Sequence, residues 1–308
     1  MEFLKKPYRW AIIITIIIIA FSTFVLLDTF VIPKSRENVE NYNSDNNSTS
    51  SNENESDTTK ETEAVVSENS YSDDNIEISI ETERKNKTTY YVADITIKDK
   101  TLLKTAFAEN TYGRNIKEKT SEITKEHNAI LAINGDFYGF RDAGYVLRNG
   151  ISYRETKRTS DNDEDLVIDN DGNFKIINEN DIDMDKLGSD IWQIISFGPA
   201  LIKDGEIVVD ADDEVSKSMN SNPRTAIGQV SPLHYIIVVS DGRTSESKGF
   251  YLEELAEVFK EKGCTVAYNL DGGGSSSMVF MGEVINKPTT NGKRIEEREV
   301  SDIVYVGY

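Results

Sequence analysis

Three aspartates each follow an apolar segment of the sequence, and each stands beside a glycine. Asp136 lies in "AINGDFYGF", Asp241 in "VVSDGR" and Asp271 in "YNLDGGGSSS". Sites are usually built on loops held by a rigid sheet, so carboxylates at several strand ends could share one pocket if these ends meet at one edge of a sheet. An aspartate beside a glycine also forms turns commonly, so the structural interpretation stays open for each of them. The pattern predicts three candidate catalytic acids.

Arg224 and a run of glycines could bind an anionic group. Arg224 follows Pro223 at the start of "RTAIG", where its planar guanidinium can form two parallel hydrogen bonds with a phosphate or carboxylate. Gly272, Gly273 and Gly274 have no Cβ atom, so their backbone N–H groups can approach an anion closely. The run lacks the lysine of a phosphate-binding P-loop. A surface ion pair for Arg224 and a tight structural turn for the glycines are the alternative interpretations.

The segments that would position these residues predict an α+β fold. Alternating apolar residues in 75–83 indicate a half-buried strand, and residues 165–177 indicate a hairpin around "NDGN". Residues 249–263 have the spacing of an amphipathic helix that ends at a glycine, within a strand–helix–strand unit at 234–270. About ten such strands with two or three helices predict a mixed, largely antiparallel sheet with flanking helices.

Composition excludes several classes of function. The chain has 308 residues and a formal net charge of −20, which would repel the phosphates of nucleic acid. Its single cysteine, Cys264, excludes an internal disulfide and a cysteine-rich zinc site. Two histidines leave little room for a histidine-based metal centre or catalytic triad.

The N-terminus predicts a single transmembrane helix. Residues 1–10 carry three basic side chains, and residues 11–32 are almost entirely apolar, which is about the ~20 residues that a bilayer-spanning helix needs. The basic side comes first, so residues 1–10 are expected in the cytoplasm and the rest of the chain outside. No small-residue cleavage site follows, which favours a retained signal anchor over a cleaved signal peptide. We therefore expect a single-pass protein of the cell membrane with an extracellular C-terminal domain.

Residues 33–75 separate the apolar segment from the folded part. They are mostly Asn, Ser, Glu and Asp, with almost nothing to bury, and predict a disordered acidic linker. Alternating strand patterns begin near Ile76, so the sequence predicts one folded domain at 76–308.

Five segments together resemble the phosphodiester glycosidase family. They are "AINGDFYGF" (132–140), "SFGPALIKDGE" (196–206), "NPRTAIG" (222–228), "IIVVSDGR" (236–243) and "YNLDGGGSSSMV" (268–279). The last segment is the most specific, and the resemblance is clear over 129–308. It implies hydrolysis of the glycosyl C–O bond in a sugar 1-phosphodiester.

Carried onto the matching positions, the resemblance implies one pocket. Its catalytic residues would be Asp136, Asp241 and Asp271. Its substrate-binding residues would be Asn134, Arg224, Thr225, Asn269, Gly272, Gly273, Gly274 and Ser275. Arg224 and the glycine amides suit the phosphate, Asp271 or Asp136 could be nucleophile or base, and Asp241 could bind sugar hydroxyls.

The expected substrate is a sugar-phosphate conjugate or polysaccharide of the cell surface, with a GlcNAc-like sugar. No metal is required, although Ca²⁺ or Mg²⁺ is compatible with three carboxylates. Two alternatives stay open at this stage. One is a non-catalytic module that binds cell-wall polysaccharide, and the other is a metal-dependent phosphodiesterase that cuts the P–O bond on Asp136, Asp241 and Asp271.

Overall fold

The computed structural model describes residues 8–38, 64–160, 163–187, 190–210 and 221–308. These residues contain α1 (Arg9–Phe30), α2 (Thr120–Glu126) and α3 (Leu252–Glu261). The first strands are β1 (Lys34–Asn38), β2 (Val65–Val66), β3 (Ser70–Ser72), β4 (Ile76–Lys85), β5 (Thr88–Ile97), β6 (Leu103–Phe107), β7 (Thr111–Arg114), β8 (Leu131–Asn134), β9 (Val146–Arg148), β10 (Ile151–Arg154) and β11 (Glu164–Asp169). The others are β12 (Phe174–Asn178), β13 (Ile191–Ile195), β14 (Ala200–Lys203), β15 (Glu206–Ile207), β16 (Thr225–Ser231), β17 (His234–Ser240), β18 (Val266–Asn269), β19 (Met278–Phe280), β20 (Glu283–Val284) and β21 (Asp302–Val306).

The strands form one large sheet and three smaller ones. The large sheet has the order β15-β14-β18-β16-β17-β5-β4-β3-β2, and two five-stranded sheets have the orders β10-β9-β13-β11-β12 and β20-β19-β8-β21-β6. The predicted strand–helix–strand unit is β17, α3 and β18, with β16 between the two strands. The pairs in these sheets are antiparallel, which confirms the predicted α+β class.

Strand β17 explains why the large sheet is covered on both faces. Its apolar side chains at 235, 237 and 239 belong to the main core, which also contains side chains from β8, β11 and β21. Its side chains at 236 and 238 face the other way and pack with the apolar stripe of α3. A continuous apolar run is typical of a strand buried on both faces. The layers are therefore α3, the nine-stranded sheet and the five-stranded sheets, with α2 outermost on β8 and β21.

The N-terminal helix is long and apolar enough to cross a membrane. Helix α1 has 22 residues and a mean hydropathy of 2.7 over its most apolar window, and none of that window is buried. The predicted span of 11–32 begins and ends two residues later than the helix in the structure. The side-chain amide of Asn115 donates to the backbone oxygens of Thr29 and Ile32 at 3.1 Å each, which satisfies carbonyls at the end of the helix.

Parts of the predicted linker carry ordered structure. β1 pairs with β7, and β3 pairs with both β2 and β4, so the large sheet extends to the N-terminal side of Ile76. Tyr71 in β3 is buried and donates a hydrogen bond to Asp73, which anchors this extension. Residues 39–63 of the predicted linker lie outside the described residues. The domain boundary at 76 stays a prediction.

Antiparallel pairing brings the motifs to one edge of the molecule. β8, β17 and β18 end there, at Asn134, Ser240 and Asn269. β16 and β21 begin there, at Thr225 and Asp302. The register places Asn134 opposite Ile303 and Ala226 opposite Asn269. We call this edge the site rim.

Candidate active site

Asn134 joins the two acidic loops of the site rim. Its side-chain N–H donates to the backbone oxygen of Asp271 at 2.6 Å, and the backbone N–H of Asp271 donates to Gly135 at 3.3 Å. The Asn134 side-chain oxygen accepts from the hydroxyl of Thr225 at 2.8 Å and from the N–H of Ser277. Asn134 and Thr225 are both fully buried. These buried hydrogen bonds fix the position of the Asp271 loop. A direct contact of Asn134 or Thr225 with a substrate stays a prediction.

Asp271 is the acid of this rim that a ligand can reach most readily. One carboxylate oxygen accepts from the N–H of Gly272 at 2.9 Å, and the other accepts from the hydroxyl of Ser275 at 2.6 Å and from Arg298 at 3.2 Å. Its side chain keeps 15% of its surface exposed. Burial raises the pKa of Asp271 above its ordinary value, although Arg298 and Ser275 oppose part of this rise.

Three arginines surround the glycine turn beside Asp271. The Arg224 side chain is buried and donates from Nε to the backbone oxygen of Phe250 at 3.0 Å. Arg243 lies so close to Gly273 that a Cβ atom there would stand 2.7 Å from its Nη2. Burial, followed by the charges of Arg298 and Arg224, lowers the pKa of Arg243. Like charges therefore crowd together here, with Asp271 as the nearby carboxylate, and this favours an anionic ligand.

The glycine amides are less available than the sequence indicates. Gly272 donates its N–H to Asp271, and Gly273 donates its N–H to Pro223 at 2.8 Å. Gly273 has a φ of +63°, a backbone conformation that favours glycine, and it begins a short 3₁₀ turn over Gly273–Ser275. Two of the three predicted anion donors are thus used inside the protein. Because the glycines have no side chains, none stands between Asp271 and Arg243 at this turn. The positive charge beside Asp271 comes from the arginines.

Asp136 lies in a buried ionic cluster below the rim. Its side chain is 0% exposed and accepts from Arg148 at 2.8 Å and from the N–H groups of Tyr138 and Ser196. Arg148 also pairs with Asp302 at 3.0 Å. Burial acts to raise the pKa of Asp136, but the Arg148 charge and these donors outweigh it and lower the pKa.

Asp302, at the start of β21, is the second acid of this cluster. Burial and the negative charge of Asp136 raise the pKa of Asp302 well above its ordinary value. One guanidinium lies between the two buried carboxylates, and the pKa values of the two acids shift in opposite directions. Because Asp136 is fully buried and bonded on both oxygens, its placement favours a role in holding the "NGDF" loop over attack on a substrate. A direct catalytic role for Asp136 stays a prediction.

Asp241 and Arg243 hold a loop that crosses the glycine turn. We call residues 286–299 the strap. A buried oxygen of Asp241 accepts from the N–H of Lys287 at 2.7 Å, and Arg243 donates to the backbone oxygen of Thr290 at 2.6 Å. Burial raises the pKa of Asp241, against the opposing effect of Lys287. Asp241 therefore anchors the strap, and its predicted contact with sugar hydroxyls stays a prediction.

The aromatic residues of "NGDFYGF" divide between core and surface. Tyr138 is buried and stacks on Tyr112, with ring centroids 5.5 Å apart, so it belongs to the core. Phe137 is half-buried, and Arg141 lies 5.6 Å from its ring centroid and 5.0 Å from that of Phe197. The Arg141 charge also opposes part of the rise in the pKa of Asp271. Arg141 therefore lies between these two rings and acts electrostatically on the acid.

The structure brings several of the predicted residues together, and their roles in binding or catalysis stay predictions. Asp271, Arg224 and Ser275 lie at the turn formed by the three glycines. Asn269 donates to the backbone oxygen of Gly198 at 2.8 Å and supports a neighbouring loop. The sequence interpretation missed Arg243, although it lies in a quoted motif, and Arg298, which lies in no motif. A basic residue two positions after a predicted site acid was the signal for Arg243.

The acids do not assemble as a metal site in the described part of the chain. Asp136, Asp241 and Asp271 have separate partners, and the residues that the structure describes include no group of three His, Cys, Asp or Glu side chains arranged to hold a metal ion. The predicted alternative, a metal on these three carboxylates, is therefore not supported by their placement.

Comparison with known proteins gives one family. The model of the phosphodiester glycosidase family matches residues 127–307, more than half of the chain. A SPbeta prophage-derived uncharacterized protein of Bacillus subtilis is 28% identical over 244 residues, which cover 71% of this chain and 36% of that protein. Mouse N-acetylglucosamine-1-phosphodiester alpha-N-acetylglucosaminidase is 31% identical over 109 residues, covering 32% of this chain and 21% of that enzyme. The chain thus spans about a third and about a fifth of the length of these curated relatives.

Solved structures share the fold. The catalytic domain of the zebrafish N-acetylglucosamine-1-phosphodiester alpha-N-acetylglucosaminidase, auto-inhibited by its pro-peptide, superposes with a TM-score of 0.60 and 20% identity, covering 76% of this chain and 83% of that one. A hypothetical protein from Synechocystis gives a TM-score of 0.50 and 16% identity, covering 76% of this chain and 62% of that one. The chain belongs to the phosphodiester glycosidase family, which confirms the resemblance seen in its motifs.

Proposed function

We propose that this member of the phosphodiester glycosidase family hydrolyses the C–O bond between a sugar and its anomeric phosphate in a sugar 1-phosphodiester. The observation that carries the proposal is the set of positively charged side chains around Asp271. A carboxylate open to the pocket stands beside Arg224, Arg243 and Arg298, in a chain whose net charge is −20. A locally positive pocket in such a protein favours an anionic substrate.

The accessible carboxylate fits the demands of this reaction. An ordinary glycoside needs a general acid for its leaving group and a second carboxylate for attack. A phosphate monoester leaves without a proton, so a single reachable acid is enough. We assign Asp271 as the nucleophile or as the base that activates water. The arginines stabilise the negative charge that builds up on the departing phosphate.

The sugar would lie against Phe137 and Phe197. Both rings are half-buried and lie near Arg141, whose charge acts on Asp271, and aromatic faces suit the apolar face of a sugar ring. Asp136, held by Arg148, would keep this loop in place. The name of the mouse relative specifies an α-linked N-acetylglucosamine, and we propose a GlcNAc-like sugar here.

The cellular setting follows from α1. A helix of this length and hydropathy at the N-terminus supports a single-pass signal anchor with the folded domain outside the cell. We therefore propose a polysaccharide or glycoconjugate of the cell surface as the natural substrate.

The proposal is tested by comparing two GlcNAc substrates on the full-length chain in detergent. One is a GlcNAc-α-1-phospho-sugar diester and the other is a neutral GlcNAc aryl glycoside. We expect release of GlcNAc from the diester, with a preference of roughly tenfold to a hundredfold for each charged hydrogen bond to the phosphate. Asp271→Asn should reduce turnover by roughly 10²–10⁴-fold.

Two results would contradict the proposal. If the neutral glycoside were turned over as fast as the diester, the arginines would not be recognising a phosphate. Absence of turnover, combined with polysaccharide binding that survives Asp271→Asn, would instead support the non-catalytic binding module.

A further inference from the structure

The strap brings one arginine onto the proposed catalytic acid. It runs from β20 to β21, and its first half is fixed by Asp241 and Arg243 through Lys287 and Thr290. Its last half is fixed from the outside, because Glu297 accepts from the backbone N–H of Ser121 at 3.1 Å. Arg298 follows directly after this second anchor. The backbone around it is therefore held at both ends, and the side chain is aimed at the glycine turn.

Arg298 contacts both Asp271 and its hydrogen-bond partner. Its Nε donates to the hydroxyl of Ser275 at 2.9 Å, and its Nη2 lies 3.2 Å from an oxygen of Asp271. Ser275 in turn donates to the same carboxylate oxygen at 2.6 Å. This arrangement fixes one oxygen of Asp271 from two directions and leaves the orientation of the carboxylate little freedom.

The same guanidinium also has capacity for a ligand. A guanidinium carries five N–H donors, and the contacts of Arg298 use Nε and Nη2. Within the part of the chain that the structure describes, Nη1 has no hydrogen-bond partner, and 40% of the side chain is exposed. Arg243 differs, because its Nε, Nη1 and Nη2 already bind Asn222 and Thr290.

We propose that Arg298 binds a phosphate oxygen of the substrate while it holds the carboxylate of Asp271, and so makes the site specific for anionic glycosides. Arg298 is then a positioning residue for Asp271 and a specificity determinant for the phosphodiester. This inference rests on the proposed function, since it assigns both partners within the same site. It adds a residue from outside the five segments in which the sequence resembles the family.

A purely structural role would leave a different signature. An ion pair with a side chain this exposed contributes little to stability, so losing it should not unfold the domain. A structural arginine would also have no effect on the affinity for phosphate. A positioning residue changes the protonation of Asp271, because its charge opposes the rise in the pKa of that carboxyl.

The test uses the full-length protein in detergent with three variants. Arg298→Met removes the charge and keeps the apolar part of the side chain, and Arg298→Lys keeps the charge without the planar fork. Arg294→Met is the matched control, because it removes the same charge from an exposed side chain of the same strap. The first readout is the binding of inorganic phosphate by calorimetry, which needs no turnover. The second is the titration of the Asp271 carboxyl by ¹³C NMR, assigned with Asp271→Asn.

We expect Arg298→Met to weaken phosphate binding by roughly tenfold or more, with partial recovery in Arg298→Lys and no change in Arg294→Met. We also expect the Asp271 titration to move to higher pH in Arg298→Met alone. Unchanged phosphate affinity in Arg298→Met would overturn the binding role, and an unchanged titration would overturn the positioning role. Failure of the proposed function would look different, as wild-type protein that binds phosphate through Arg298 but hydrolyses no sugar diester.

Discussion

At the scale of single residues, three aspartates with similar sequence surroundings have different environments. Asp136 and Asp271 each lie two residues after an asparagine that ends a strand, but Asp136 is paired with Arg148 inside the protein and Asp271 is partly exposed. Asp241 is buried against the strap. The sequence could predict that these acids meet at one edge. It could not predict which of them is exposed, because Arg148 and Lys287 come from distant segments that carry no recognisable motif.

The environment of Asp271 predicts the pH dependence of activity. Burial raises its pKa, and the proposed role requires the ionised form, so activity is lost as the pH falls through this raised value. We expect the acid limb of kcat/KM to lie at higher pH than the ordinary pKa of an aspartate. The measurement is kcat/KM on the sugar diester from about pH 3 to about pH 9.

Return of acid-treated samples to neutral pH is the control for unfolding. A profile that stays flat down to the ordinary range of an aspartate would show that another group carries the reaction.

At the scale of elements, the segments with a clear apolar pattern were predicted well, and several short strands were missed. The alternation in 75–83 and the hairpin at 165–177 correspond to β4 and to the pair of β11 and β12. The amphipathic helix at 249–263 corresponds to α3, which is shorter at both ends. Several strands of two to four residues, such as β9 and β10, have too few positions to show a period. They account for most of the difference from the roughly ten strands expected.

The glycine turn predicts a contrast between two glycines with positive φ. Alanine at Gly273 (φ +63°) or at Gly282 (φ +85°) should cost about 1–2 kcal/mol of folding free energy, because both need a left-handed backbone. Gly282 has no atom within 4 Å of the added Cβ, whereas at Gly273 the Cβ would meet Arg243 at 2.7 Å. We therefore expect Gly273→Ala to lose activity and Gly282→Ala to keep it, in assays at a temperature where both are folded. Equal activity in the two variants would show that the turn does not shape the site.

The buried ionic cluster predicts a large effect on stability. Arg148 joins the ends of β8 and β13 and the start of β21, through Asp136, Ile194 and Asp302. Arg148→Met leaves Asp136 buried without its compensating charge, so the free energy of unfolding should fall by about 3–5 kcal/mol.

Arg114→Met is the matched control, because Arg114 pairs with an exposed Asp142 and should contribute about 1 kcal/mol or less. Denaturant titration measures both variants. Equal losses would mean that the cluster does not hold the rim together.

At the scale of the whole molecule, the chain that directly follows the N-terminal helix pairs with the folded domain. β1 pairs with β7, and Asn115 binds the last carbonyls of α1, so residues 33–38 are part of the fold. Composition alone could not show this, because "PKSREN" has no apolar pattern.

A retained anchor makes a specific prediction about location. We expect the full-length chain to stay in the membrane fraction after a carbonate wash, since about 20 apolar residues span the bilayer. Removal of residues 1–32 should release it. Mature protein that appears in the medium without its apolar segment would show that the segment is a cleaved signal peptide.

The central claim is that the glycosyl C–O bond breaks, and isotope placement tests it most directly. The full-length chain is incubated with the GlcNAc-α-1-phospho-sugar diester in ¹⁸O-labelled water, with Asp271→Asn as the inactive control, and the products are analysed by mass spectrometry. The account predicts the label in the released GlcNAc and none in the phosphate monoester. Label in the phosphate would contradict it, because the P–O bond would then be the one that breaks.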